Sequence, residues 1–310
     1  LKLHDAAEIT ERDYWVPKTI SIPTNVGFTN STFTLYRAVA MSGSPFSGAQ
    51  RTQEYDAVYW TGRATLPPMK RSDAVEWQSF FLDLEGMKNN FIFGDPDAKT
   101  PQGTFNGGYL RGETRIDSGS QVTSVTLSFS GSTITAGTAI FDGLVVGDFF
   151  TVSGALKEEN NGTFKITTKT SDTVVVVDHS LTTESSTASC KVRQNVKGGT
   201  ALSLRASGDS GTGTIKKGDY LGIYDAGAPA NGSPVQLVMA TADAVFSVES
   251  GPDHYSVPIQ PKLRANLGTN AVGFSSLYNK SRFRLTTNEV QWDTNAVSNF
   301  GFTFEFMEVI

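Results

Sequence analysis

A double proline followed at once by a helical period is the feature that most constrains this chain. Between Ser44 and Pro96 the sequence reads SPFSGAQRTQEYDAVYWTGRATLPPMKRSDAVEWQSFFLDLEGMKNNFIFGDP. Glu54–Trp60 and Gly62–Leu66 are rich in aromatic and β-branched residues, which predicts strand. Pro67-Pro68 then ends the ladder, because proline has no backbone donor. Ala74, Trp77, Phe81 and Leu84 recur at three- and four-residue steps and share one face of a helix over about residues 72–85. Ser72 is the expected N-cap, with Asp73 and Glu76 in the first turn, where the helix dipole favours negative charge. Gly86 is the expected C′ residue. No other stretch of the 310 residues has a convincing helical period, so the remainder must be sheet and turn.

Composition agrees. Thirty glycines, 12 prolines, 20 phenylalanines and abundant Ser and Thr describe a β-rich globular chain, since a disordered one would carry fewer aromatics and more net charge. A chain of this length buries about 75% of its unfolded surface, in one large domain or two to three smaller ones. The net charge of −5 gives no basic surface for nucleic acid. A single cysteine, Cys190, excludes an internal disulfide and a multi-Cys metal site, as expected for folding in a reducing compartment. No window approaches the about 18 apolar residues of a membrane span. The opening LKLHDAAEIT lacks the apolar core of a secretion signal, and its initial Leu is what trimming of a longer product leaves. The expectation is a soluble chain without membrane insertion.

Along the chain, Phe33–Met41 alternates as a half-buried strand does, with Arg37 as the exception. Composition shifts near Ser118 to a Ser/Thr/Val-rich stretch ending about Lys197, with strand-like runs at Val122–Phe129, Asp148–Val152, Thr163–Thr167 and Thr173–Asp178. Asn161-Gly162 predicts a type I′ hairpin turn, and Gly198-Gly199 marks the exit. Further strands are expected at Leu202–Leu204, Tyr220–Tyr224, Val235–Ala240, Ala244–Glu249 and Arg282–Thr286, with a turn at Pro258–Pro261. Phe300, Phe302, Phe304 and Phe306 then alternate with Gly301, Thr303 and Glu305, a strict period of two that places the closing strand inside a sheet. GDFFTV at residues 147–152 echoes GDYLGI at 218–223, as Gly-Asp turns before strands commonly do. The fold class read from this is mainly β: a split β-barrel or sandwich domain with one amphipathic helix, formed by residues 1–117 and 198–310, around a small all-β module at 118–197.

Chemistry is sparse. Gly208-Asp209-Ser210-Gly211 matches the tetrapeptide around a chymotrypsin-like nucleophile, but His4, His179 and His254 lack the context of a general base. These histidines have Asp5, Asp178 and Asp253 as neighbours without metal-ligand spacing. Asp95-Pro96-Asp97 reads as a strand-ending turn rather than a calcium loop. Glu158-Glu159 lies in a charged turn with no cleft for a glycosidase acid pair. The sequons at Asn30, Asn161, Asn231 and Asn279 are chance features of an Asn/Ser/Thr-rich chain. Tyr55, Tyr59, Trp60 and Trp292 are core candidates that could also stack on sugars or on a neighbouring subunit. No catalytic, cofactor-binding or metal residue is assigned, and the expectation is a non-enzyme.

The order of motifs resembles a family of tailed-bacteriophage tail proteins. SPFSGAQRTQEY, then AVYWTGRATLPPM and the AVEWQSF helix, then a strand ending in Gly-Asp-Pro, is similar to that family's SPF-(S/T)-G-x-Q, W-x-x-x-x-x-LPPM and A-x-x-W-x-x-F series. GTALSLRASG, TIKKGDYLGI, VQLVMATADA, VPIQPKLRANL, RFRLTTNEVQW and GFTFEFMEV continue the likeness, which covers about Thr34–Pro96 and Gly199–Ile310. It looks like the siphophage distal tail protein. That resemblance implies a structural virion protein at the tail tip, assembled in the host cytoplasm. It implies a hexameric ring of a belt-type β domain joining the tail tube protein to hub and baseplate proteins and meeting the tape measure protein, with DNA only as passing cargo. The inserted module resembles small β domains that decorate tail proteins. The competing readings are a carbohydrate-binding or receptor-binding tail module, and a hydrolase built on Ser210.

Overall fold

The computed structural model describes residues 16–44, 46–105, 109–113, 116, 122–206, 212–246, 254–268, 270–275, 277–294 and 299–310. The chain is mainly β, with one α-helix among the described residues. Both ends of the chain build one six-stranded sheet. Strands are numbered along the chain: β1 (Thr19–Ile20), β2 (Asn30–Gly43), β3 (Gln50–Thr65), β4 (Asn90–Phe93), β17 (Ser281–Leu285) and β20 (Thr303–Glu308) lie in the order β1-β4-β17-β20-β3-β2. The Phe-alternating strand is central, paired to β3 from Thr303–Thr65 to Met307–Thr61 and to β17 from Leu285–Phe306 to Phe283–Glu308. Phe302, Phe304 and Phe306 are buried while Thr303 and Glu305 face out. Phe33, Phe91, Phe93 and Phe283 meet them in a core of edge-on and tilted rings. Gly62 pairs with both Phe33 and Phe306, and a Cβ there would stand 2.5 Å from the Phe306 ring and 2.4 Å from the Thr32 carbonyl. Glycine is therefore required by space at the centre of the sheet.

The helix α1 (Arg71–Leu84) lays Ala74, Trp77, Phe81 and Leu84 on this core, together with Phe80, which the three-four spacing had not singled out. Trp77 is fully buried against Phe28, Phe80, Phe81 and Phe304. The N-cap is Lys70, without a side-chain cap, rather than Ser72. Met69 still forms an isolated antiparallel bridge with Phe300, so extended backbone persists to Lys70 and Ser72 falls inside the exposed first turn. Glu85 (φ 49°) and Gly86 (φ 69°) both turn left-handed after Leu84. The Asn89 amide then donates to the Asp83 carbonyl at 2.8 Å, satisfying one of the orphan groups of the helix end.

A closed barrel carries the next core. Its strands β5 (Leu110–Gly112), β10 (Ala201–Ala206), β12 (Tyr220–Tyr224), β13 (Pro234–Ala240), β15 (His254–Gln260) and β16 (Ala271–Gly273) run in the order β10-β15-β13-β12-β16-β5. Pro258 is a strand residue opposite Ala201, not the start of a turn. Two-stranded ribbons, β11 (Gly213–Ile215) with β14 (Ala244–Phe246) and β18 (Asp293–Thr294) with β19 (Phe300–Gly301), complete this part. Strand at 244–246 matches the first half of the expected 244–249 run, and the rest lies outside the described residues.

Between β5 and β10 the chain forms a four-stranded sheet with its own core: β6 (Val122–Ala136), β7 (Phe149–Ser153), β8 (Gly162–Ser171) and β9 (Val174–Arg193), ordered β6-β9-β7-β8, with β8 also pairing β9. β7 and β8 do form an antiparallel pair, but not through a type I′ turn. Asn161 is extended at φ −97° and uses its side chain to accept from Ala155 N and donate to Ala155 O and Lys157 O, closing a wider loop. The Gly-Asp echo is a shared turn. Gly147 (φ 99°) and Gly218 (φ 97°) precede Asp148 and Asp219, whose carboxylates accept from Val145 N and Lys216 N at 3.0 and 2.8 Å. Asp148 faces Ser256 of the barrel at 3.1 Å, which ties the two sheets together.

Candidate assembly surface

Beyond Arg37 the strands β2 and β3 leave the sheet as a two-stranded arm. The outer ladder runs from Val39–Glu54 to Gly43–Gln50, and neither strand of that part has a further partner among the described residues. The expected half-burial of Phe33–Met41 therefore holds through Leu35 and fails beyond, with Val39 and Met41 exposed. Ser44 and residues 46–49 of the SPFSGAQ motif lie at the tip. Gly48 (φ 67°) turns the chain, Gly48 N bonds to Ser44 O at 3.0 Å, and Ser44 N bonds to Ala49 O at 2.9 Å. Phe46 stands 99% exposed there, and Tyr55 is exposed near the base. Along 39–43 this edge is apolar at intervals and free of Pro and charge, so Arg37 and the register shift at its root are the devices it carries against pairing with other chains.

A buried polar node fastens the root of this surface to the barrel. Glu308, with no exposed area, accepts from Trp60 N at 3.2 Å, Leu237 N at 2.6 Å and the Arg264 guanidinium. Arg264 also donates to Val58 O at 3.3 Å and Val309 O at 3.2 Å, and Trp60 Nε1 donates to Leu237 O at 2.8 Å. Burial pushes the Glu308 carboxyl up, while Arg264 and the backbone donors pull it down. Sequence reasoning missed this node, although the period of two through Phe302, Phe304 and Phe306 puts position 308 on the inward face. Trp60 is thus core, while Tyr59 meets Tyr36 on the outer face, with ring centroids 4.9 Å apart, and Trp292 is partly exposed.

The chemical candidates are not brought together. His179 Nδ1 lies 2.7 Å from Asp178 Oδ1 on an exposed strand. Burial raises the Asp178 carboxyl, but His179 and Lys165 N outweigh it and lower it overall. Glu158 and Glu159 are exposed in a short 3-10 turn, beside the buried Glu184 that the sequence had not marked. Asp97 N donates to Asp95 Oδ1 at 3.1 Å, the local bond of a turn. Burial raises the Cys190 thiol, which favours its protonated form. Asn279 is buried and donates to Ala98 O and Lys99 O, so that sequon is inaccessible. His4, Asp5, Asp253, the His254 side chain and the Ser210 loop lie outside the described residues. Among the described residues no three His, Cys, Asp or Glu side chains are placed to share a metal ion. No described helix is long and apolar enough to cross a membrane.

The arrangement defines a mainly β chain whose most distinctive surface is a two-stranded ribbon with no further strand partner among the described residues. No protein-family model matches the chain, and no curated protein matches it at a significant level.

Proposed function

We propose that this chain is a structural virion protein of a bacteriophage tail, the distal tail protein that forms a ring beneath the tail tube. The observation that carries the reading is the arm. It offers strand edges without a further strand partner among the described residues, with Val39, Met41 and Phe46 exposed along it and Tyr55 exposed near its base. A head-to-tail contact between copies needs one projecting surface and a different receiving one, and rings result when the rotation closes. The described residues of the motif SPFSGAQ, part of the resemblance to the tail family, lie at the tip of that arm. In this reading the protein is not an enzyme. It assembles as a hexamer, contacts tail tube, hub, baseplate and tape measure proteins, and leaves a channel for DNA at the tail tip.

The test is mass in solution. Wild-type protein, alone or with its tail tube partner, is expected to form a closed ring. A variant with residues 39–54 replaced by a short Gly-Ser turn is expected to stay monomeric with an unchanged melting temperature. Wild-type protein that remains monomeric at high concentration with and without tail partners sinks the proposal.

A further inference from the structure

The β2–β3 ladder changes register once, where the arm leaves the sheet. Arg37 pairs with Val58, and the next pair outward is Val39 with Glu54. Ala38 alone therefore faces Tyr55, Asp56 and Ala57. Such a bulge interrupts the ladder and bends the ribbon, and a ribbon with no third strand has little else to hold its direction.

Charged side chains bridge this bend. Arg37, on the sheet side, lies 3.8 Å from Glu54 on the arm side and donates to Gln260 Oε1 at 2.7 Å. Lys262 lies 3.8 Å from Glu54 and 3.4 Å from Asp56, and Lys197 is 3.7 Å from Asp56. Gln260 ends barrel strand β15, Lys262 follows it, and Lys197 belongs to the segment joining β9 to the barrel. Cations from the sheet, the barrel and that linker thus converge on two carboxylates, Asp56 within the bulge and Glu54 at its outer edge.

The geometry points to an electrostatic latch: Glu54 and Asp56, gripped by Arg37, Lys262 and Lys197, hold the arm at one angle to the barrel, and their release lets it swing about the bulge. This deepens the assembly reading, on which it rests, by naming what sets the direction in which the arm is presented. Exposed ion pairs are individually weak in water, so the latch biases the angle rather than locking it. A docking partner can open it at small cost, and salt shortens its reach to about 3 Å at about 1 M ionic strength.

The experiment places spin labels at Ser42→Cys on the arm and Val245→Cys on the exposed face of β14, with the buried Cys190 left in place. Labelled chains are diluted in unlabelled ones and distances are read by pulsed electron resonance. At low salt a single narrow distribution is expected. In Glu54→Gln with Asp56→Asn, and independently in Lys262→Gln, the population outside that peak should rise about ten-fold. High salt should do the same to the wild type and little more to the variants. A distribution of unchanged centre and width across both variants and both salts overturns the latch. Oligomeric mass, read on the same samples, keeps the two proposals apart: a ring with an unresponsive distance refutes the latch alone, and a persistent monomer with a responsive distance refutes the ring alone.

Discussion

Glu184 offers the sharpest test of how the inserted sheet is held. It sits buried in β9 and accepts from Leu156 N at 2.9 Å, Lys157 N at 3.1 Å, Asn160 Nδ2 at 2.9 Å and the Thr187 hydroxyl. Asn160 in turn exchanges bonds with Thr182, donating to its carbonyl and accepting from its amide at 2.9 Å each. The carboxylate therefore pins the whole 156–161 loop to the strand. Desolvation acts to raise its pKa, but these donors outweigh it and hold the carboxyl at about 2. An unfolded Glu titrates near about 4.3, and each unit of difference is worth about 1.36 kcal/mol. Allowing for solvent screening at the loop, the carboxylate contributes about 2 kcal/mol at neutral pH. Because the folded pKa is depressed, that contribution is fully present above the unfolded value. It is lost as pH falls from about 4.3 to about 2.

Glu184→Gln removes the charge and turns an amide donor toward existing donors. The expected loss is about 2 kcal/mol at pH 7, shrinking toward zero near pH 2 as the wild type loses its own advantage. The chain holds several cores, so the readout for this one must be local to the module. Hydrogen exchange read on peptides covering 155–161 and 184–193, at pH values from 7 down to 3 with intrinsic rates corrected, isolates the module. A loss below about 0.5 kcal/mol at neutral pH, or one that does not shrink on acidification, refutes the argument that this carboxylate works as an ionised acceptor.

Three further outcomes are expected. Gly62→Ala forces a Cβ into the Phe306 ring and should cost about 1–3 kcal/mol by thermal unfolding, with partial recovery when combined with Phe306→Leu. Trp77→Ala should cost about 3–5 kcal/mol in the same measurement, and an unchanged midpoint would place that face outside the core. Arg264→Met strands Glu308 without its cation and should cost about 3–5 kcal/mol at pH 7; because Glu308 protonates more readily once its cation is gone, the deficit should shrink as the pH is lowered.

Much of the fold is legible in the residues because it follows from periods that a strand or helix imposes on its own side chains. The two-residue period after Phe300 specifies a buried central strand, the three-four spacing after Lys70 specifies a helix face, and Pro67-Pro68 specifies the break between them. Local rules fail where neighbours compete. Met69 is held extended by its bridge to Phe300, which moves the cap from Ser72 to Lys70. Asn161 satisfies the backbone of its own loop with its side chain instead of turning with Gly162. Pro258 tolerates a strand because the barrel around it supplies the remaining pairs.

The candidate surface was legible only in part. Its tip motif stands in the sequence, yet nothing local says that Val39 and Met41 stay exposed while Phe33 and Leu35, on the same strand, pack against the core. That difference comes from where β20 stops covering β3, a contact between residues more than 200 positions apart. The sequence by itself determined the β class, the single helix and the inward face of the closing strand, since each depends on side chains close along the chain. Tertiary structure decided which length of the β2–β3 ribbon lies in the sheet and which projects. It also decided that Glu308 and Arg264 meet in the interior. Both depend on pairing between distant segments, whose register no local period encodes.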